Sequence, residues 1–293
     1  MASAAAPVSK HQMPVGWISQ EEQLRRLTPP EAEVQRVLPR ELVGYVVEYA
    51  KDPSLTYWHR ALQQIGYTGP VPPLPNHIHQ IMESESPLKA NTGRVGDTHV
   101  LYYDPPGTLN ELVERVKACA KKIEHPKAMG FSWSWGLDQL GDVPSEGGWV
   151  LITKDILEGS RGKTYDQHVA MIGELNKKSF IKYEVPKCKA VIAACFLHNI
   201  ATGQFLFPKV TKKENVSGNI VEVTDEDRTV YTCVEETVKD DYLQKVYRLK
   251  VGGYSAEALF GSGLVLSACG GGFEHMTGVA PVVKLDASCP PKT

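Results

Sequence analysis

The chain has 293 residues, of which 42% are hydrophobic and 23% charged, with a formal net charge of −2 and a pI near 6.5. That length accommodates one large domain or two ordinary ones. The near-neutral balance, with no cluster of Lys and Arg interleaved with aromatics, argues against a nucleic-acid partner. No apolar run reaches the roughly 18 residues a membrane-spanning helix needs, so neither membrane nor nucleic acid is expected as a partner.

In chain order, residues 1–19 are polar and aperiodic and read as a disordered tail. They have neither the basic start nor the apolar stretch of a secretory signal, so a cytoplasmic protein is expected. The six cysteines, at 119, 188, 195, 233, 269 and 289, contain no Cys-x-x-Cys pair and read as reduced thiols. Asn215-Val216-Ser217 matches a glycosylation acceptor by chance on that reading.

Residues 20–67 form an expected helical segment. After a short helix near 20–27, Pro39 suits a first helical turn, and Leu42, Val43, Val46, Val47 and Ala50 recur at helical spacing. Asp52-Pro53 breaks this helix, and a second carries Leu55, Trp58, Leu62 and Ile65. The hairpin has more apolar surface than it can bury alone. Residues 68–76, "TGPVPPLPN", read as a proline-rich connector to a main domain over 77–293.

That domain alternates at first between strands and helices. A strand is predicted at 98–103, and a helix follows, opened by a Thr108/Glu111 capping box and carrying Leu109, Leu112, Val113, Val116, Cys119 and Ile123. A strand at 149–152 precedes a helix from 165, and Pro186 begins a largely apolar helix that stops at Gly203. Short β-rich segments at 229–236, 244–252, 263–268 and 278–285 end the chain. Tyr247, Leu249 and Val251 alternate with Arg248 and Lys250, which predicts one wet sheet face. Pro281 marks an edge strand or its start. The expected fold class is α+β: helices packed on a mixed, mostly antiparallel sheet.

"GGWVLITKDILEGSRGKTYDQHVAMI", residues 147–172, has the strand, Gly-Lys-Thr, helix order of a phosphate-binding P-loop. The spacing excludes one, because five positions before Gly162 stands Leu157 rather than glycine. Arg161, Lys163 and His168 remain candidate anion-binding residues beside a helix N-terminus, and Asp155, Arg161 and His168 are the acid–base candidates. The competing reading is local: Thr164 caps the helix and Gln167 closes a capping box.

Four other constellations favour structure over chemistry. In "GFSWSWG" (130–136), Phe131, Trp133 and Trp135 would share a strand face, as core or as a stacking platform for a sugar, base or peptide. Cys188, Cys195 and His198 lie on one helical stripe with Val191, a core pattern without a fourth metal ligand. His77 and His79 are a lone loop pair. Cys269 precedes three glycines and His275, which suggests a bulge before a thiolate–imidazole pair. No motif demands a metal or a cofactor.

Leu38, Pro39, Glu41, Leu42, Val46 and Trp58 in "LPRELVGYVVEYAKDPSLTYWHRAL" resemble an F-box hairpin. From about 71 to 285 the chain also resembles a functionally uncharacterised family of amoeba-infecting chlamydia relatives (Parachlamydia/Waddlia type), whose members often carry an F-box-like N-terminus. "VPPLP", "THVL", the 147–172 stretch, "YEVP", "VGGY" and "GVAPVVKL" carry that likeness. The resemblances imply a non-enzymatic interaction adaptor, a bacterial effector delivered into a host cell. Leu38, Pro39, Leu42, Val46 and Trp58 would then meet a Skp-type ubiquitin-ligase adaptor. The alternative expectation is an enzyme or ligand-binding domain that takes an anionic substrate on loop 155–168.

Overall fold

The computed structural model describes residues 57–75, 77–88, 93–120, 129–134, 136–208, 210–216, 219–224, 229–255, 263–269 and 276–285. The expected tail, the first helix of the N-terminal hairpin, Trp135, the 270–275 glycine segment and Cys289 lie outside these residues.

Short helices α1 (Tyr57–Gln64), α2 (Ile78–Glu83) and α3 (Val95–Thr98) lead into β1 (His99–Asp104) and α4 (Leu109–Ala120). Next come β2 (Phe131–Ser134), α5 (Leu137–Leu140), β3 (Gly148–Thr153), α6 (Tyr165–Lys178) and α7 (Cys188–Thr202). The chain continues through β4 (Thr211–Val216), β5 (Asn219–Thr224), β6 (Tyr231–Asp240), β7 (Lys245–Ser255), β8 (Gly263–Cys269), β9 (Thr277–Gly278) and β10 (Val282–Leu285). The described fold is mixed α and β with mostly antiparallel sheets. No helix among the described residues is long and apolar enough to cross a membrane.

Strands β1, β3 and β10 form an antiparallel sheet with β3 at its centre. Its strands are apolar on both faces, as sheets covered on both sides require. On one face Tyr102 donates its hydroxyl to the carbonyl of Ala190 on α7, at 2.7 Å. A five-stranded sheet runs β2-β8-β7-β6-β9, parallel at β2/β8 and β6/β9 and antiparallel between. β4 and β5 pair as a separate hairpin.

Helix α7 is the centre of the core. Val191, Ile192, Ala193, Cys195, Phe196 and Leu197 are fully buried, in agreement with a helix apolar on most sides. Phe196 meets Phe131 and Tyr254 edge-on, with ring centroids at 5.8 and 5.9 Å. Burying a ring of this kind contributes about 1.5–3 kcal/mol. The helix ends where Gly203 turns left-handed (φ 72°) and donates its N–H to Asn199. Cys188 and Cys195 lie in this core, and burial pushes both thiols well up.

The residues expected as hairpin and connector enter the same core. Ala61, Leu62 and Ile65 are buried, α1 packs against α7, and Leu74 is buried with them. Leu74 and Pro75 at the end of the connector are buried, whereas Thr68 and Pro70 are exposed. A second departure concerns Lys250, expected on a wet strand face. It is buried, its ammonium 4.7 Å from the centre of the Tyr231 ring on the neighbouring strand, where the aromatic face favours the cation.

The outer edge of β6 is paired with β9 only at Tyr231 and Thr232. Further along, Glu235 donates its N–H to Pro186 at 2.9 Å. The side chain of Gln139 then donates to the carbonyl of Lys239 (2.8 Å) and accepts its N–H (2.9 Å), as a neighbouring strand would.

Candidate functional site

The loop after β3 was the expected anion site, and its polar groups are bound to backbone. Arg161 donates through Nη1 to the carbonyls of Thr229 (3.1 Å) and Met276 (2.8 Å), and through Nη2 to Thr229 again (3.1 Å). His168 is buried and directs Nε2–H at the carbonyl of Ser160, 2.9 Å away. Burial lowers its pKa and that bond works the other way, so the ring is held neutral. Leu157 and Gly162 donate their N–H groups to Val279 and Thr277, and Ser160 Oγ accepts the N–H of Val279. Thr164 and Gln167 close the capping box, at 3.3 and 2.9 Å. Lys163 and Asp155 are exposed. The loop braces β3 against β9, and the local reading of the motif describes its geometry.

A second place gathers polar groups that sequence reading did not connect. At the far end of the same sheet, Asp104 closes β1 opposite Gly148, the first residue of β3. The intervening chain is clipped back by reciprocal bonds between Gly107 and Ser145, at 2.9 and 3.0 Å. Gly147 makes the turn with φ 73°, and a Cβ there would stand 2.5 Å from the carbonyl oxygen of Asp104. No side chain fits such an approach.

Between this turn, the start of α7, β6 and β10 lies a cleft of about 440 Å³. Leu109, Leu140, Val143 and Val282 contribute its apolar wall. Its deepest ionic feature is a buried pair: Lys189 Nζ stands 2.7 Å from Asp104 Oδ1 and also donates to the carbonyl of Pro105. Burial pushes the Asp104 carboxyl up, and the Lys189 ammonium opposes that shift. Glu236, half-buried on β6, accepts the N–H of Cys188 at Oε2 (2.8 Å), in the first turn of α7. Burial pushes its carboxyl up as well, against the pull of that amide. Lys284 and Glu184 face each other at 3.5 Å, both half-exposed. Four carboxylates (Asp104, Glu146, Glu184, Glu236) and three ammoniums (Lys187, Lys189, Lys284) thus line the cleft.

Asp104, Lys189 and Glu236 come from three separate elements, β1, α7 and β6, so no spacing signals them. The one local hint was a lysine in the first turn of an otherwise apolar helix. Among the remaining expected residues, Leu38, Pro39, Leu42 and Val46 lie outside the described residues, and Trp58 is in α1. Trp133 is on β2 in register with Val265. His79 is on α2, where burial lowers its pKa. Comparison of the chain with family models, curated proteins and solved structures returns no match.

Proposed function

We propose that this protein is a small-ligand-binding domain whose site is the cleft between the Gly147 turn and the N-terminus of α7. The observation that carries the reading is Glu236. Its carboxyl is in a mostly apolar recess of ligand-binding size, with a pKa raised by burial. Perturbed titratable groups that converge in a concave pocket are the usual mark of a binding site. The lining carries one more carboxylate than ammonium groups, so the fitting ligand is a small molecule with a cationic or hydrogen-bond-donating head, rather than the anion sought at loop 155–168. An ammonium beside Glu236 would hold the carboxylate ionised and gain a charge-assisted bond.

A thermal-shift panel tests this with 1,4-diaminobutane, glycerol and succinate at pH 7. Stabilisation by the diamine, lost in Glu236→Gln, supports the reading. A panel that leaves the melting temperature unmoved throughout overturns it.

A second reading keeps the interaction adaptor, on the strength of the Leu38-Pro39-x-Glu41-Leu42 pattern and its helical continuation. Here the F-box-like segment of a bacterial effector docks on a Skp-type adaptor by helix-in-groove contacts. The docking residues in this reading are Leu38, Pro39, Leu42, Val46 and Trp58, while Ala61, Leu62 and Ile65 further along the segment are buried in the protein's own core. Calorimetric titration into a purified Skp-type adaptor, with Leu42→Asp as control, decides it. Absence of binding by the folded wild type removes the adaptor reading.

A further inference from the structure

The opposite face of the three-stranded sheet carries a different kind of surface. Tyr103 and Trp149 stand directly across from one another on β1 and β3, so their rings project to the same side. The rings meet edge-on at 5.5 Å, and Tyr67 extends the row at 6.2 Å from Tyr103. Across this row runs "PVPPLP", residues 70–75, in which four of six positions are proline.

The contacts between row and strap follow one rule. Proline has no N–H, so a proline-rich segment offers mainly acceptors, and the row supplies the donors. Trp149 Nε1–H is shared between the carbonyls of Pro72 (3.0 Å) and Pro73 (3.2 Å). The hydroxyls of Tyr67 and Tyr103 both reach the carbonyl of Pro70, at 3.2 and 3.5 Å. Among the described residues, no backbone–backbone hydrogen bond holds residues 68–74. The strap is therefore kept in place by aromatic donors and apolar contact, with Leu74 and Pro75 buried, Val71 to Pro73 half-buried and Pro70 exposed.

Flat aromatic rings, an indole N–H aimed at a proline carbonyl and a stiff ligand with little conformational entropy to lose are the ingredients of proline-rich peptide recognition. We propose that the Tyr103–Trp149 row is a proline-recognition groove occupied by the chain's own strap, and that a proline-rich segment of a partner protein can take the same place. The strap itself defines the chemistry of that partner: successive proline carbonyls with an intervening apolar residue. Because α1 and α2 tether the strap at both ends, its effective concentration exceeds that of a free peptide. Exchange is then weak in the resting protein and strengthens when the strap is loosened.

The probe is a capped peptide of the strap sequence, Thr-Gly-Pro-Val-Pro-Pro-Leu-Pro-Asn, titrated into the full chain. The readout is the indole N–H resonance of Trp149, assigned with Trp149→Phe. The Trp149 resonance is expected to move in the wild type at high peptide concentration. Affinity should rise at least tenfold in Pro72→Ala/Pro73→Ala, and a peptide with alanine at every proline should have no effect. Val71→Ala, which trims one half-buried strap contact and leaves the row intact, is a milder variant should the double one unfold. Glu236→Gln should leave the response unchanged, which separates this groove from the cleft. A Trp149 resonance that stays fixed in both folded strap variants overturns the proposal.

Discussion

Strands β1 and β3 share two ends, and each end places a titratable residue of β1 in the interior by an opposite solution. At the loop end, His99 lies opposite Thr153. Its Nδ1–H reaches the carbonyl of Val95 (3.0 Å), its Nε2 accepts the Tyr183 hydroxyl (3.0 Å), and burial lowers its pKa to about 4. The ring is neutral and satisfied by polar partners. At the cleft end, Asp104 is buried as an ion and held by Lys189. A neutral group fully bonded to its surroundings offers little to a ligand. Ionised and carboxyl groups gathered around open space offer a great deal. The cleft end is thus the one where charged groups meet open space.

The largest expected effect breaks the cleft end. Lys189→Met strands the Asp104 carboxylate, a loss of about 3–5 kcal/mol, and Asp104→Leu/Lys189→Met should recover most of it in urea unfolding at pH 7. Next, acid should act through the loop end. Folded His99 stays neutral down to about pH 4, whereas the unfolded chain protonates it near 6.5. The unfolded state therefore binds more protons in that window, and stability falls as pH falls through it. The loss is on the order of 3 kcal/mol, and a His99→Gln variant, measured by urea midpoint at each pH, should lack this component. Arg161→Ala leaves the Thr229 and Met276 carbonyls short of a donor, at about 1–3 kcal/mol, and phosphate should stabilise neither it nor the wild type. Phosphate protection of the wild type alone would return the anion site to loop 155–168. Smallest are Thr164→Ala, at about 1 kcal/mol for a lost cap, and Lys163→Ala, within about 0.5 kcal/mol for a surface change. Both are read from melting curves.

The stronger local signals were legible, although the β4–β5 hairpin was not predicted and His79, expected in a loop, lies in α2. The Thr108/Glu111 box forms with bonds of 3.0 and 3.1 Å, the Thr164/Gln167 box forms too, and the apolar helix that stops at Gly203 is the core helix. The strands predicted at 98–103 and 149–152 are β1, shifted by one residue, and β3, one residue longer at each end. Non-local geometry was not legible. Proline content suggested a connector at 68–76, because a proline carbonyl does not announce that Trp149, some seventy-five residues on, will bind it. The alternation in β7 predicted a wet Lys250, because the Tyr231 ring that covers it belongs to another strand. The cleft joins Asp104, Lys189 and Glu236 only through tertiary folding. Arg161, Lys163 and His168 drew attention because they are close in sequence, yet two of them are tied to carbonyls.

Gln139 carries a consequence beyond this molecule's own fold. By imitating one rung of a strand against Lys239, a single amide side chain occupies the place where a stranger's backbone would begin to pair. A protein made in quantity meets copies of itself constantly, and an open sheet margin is where such meetings become irreversible. Gln139 thus covers part of that margin, set on a short helix whose Leu137 and Leu140 pack against the core.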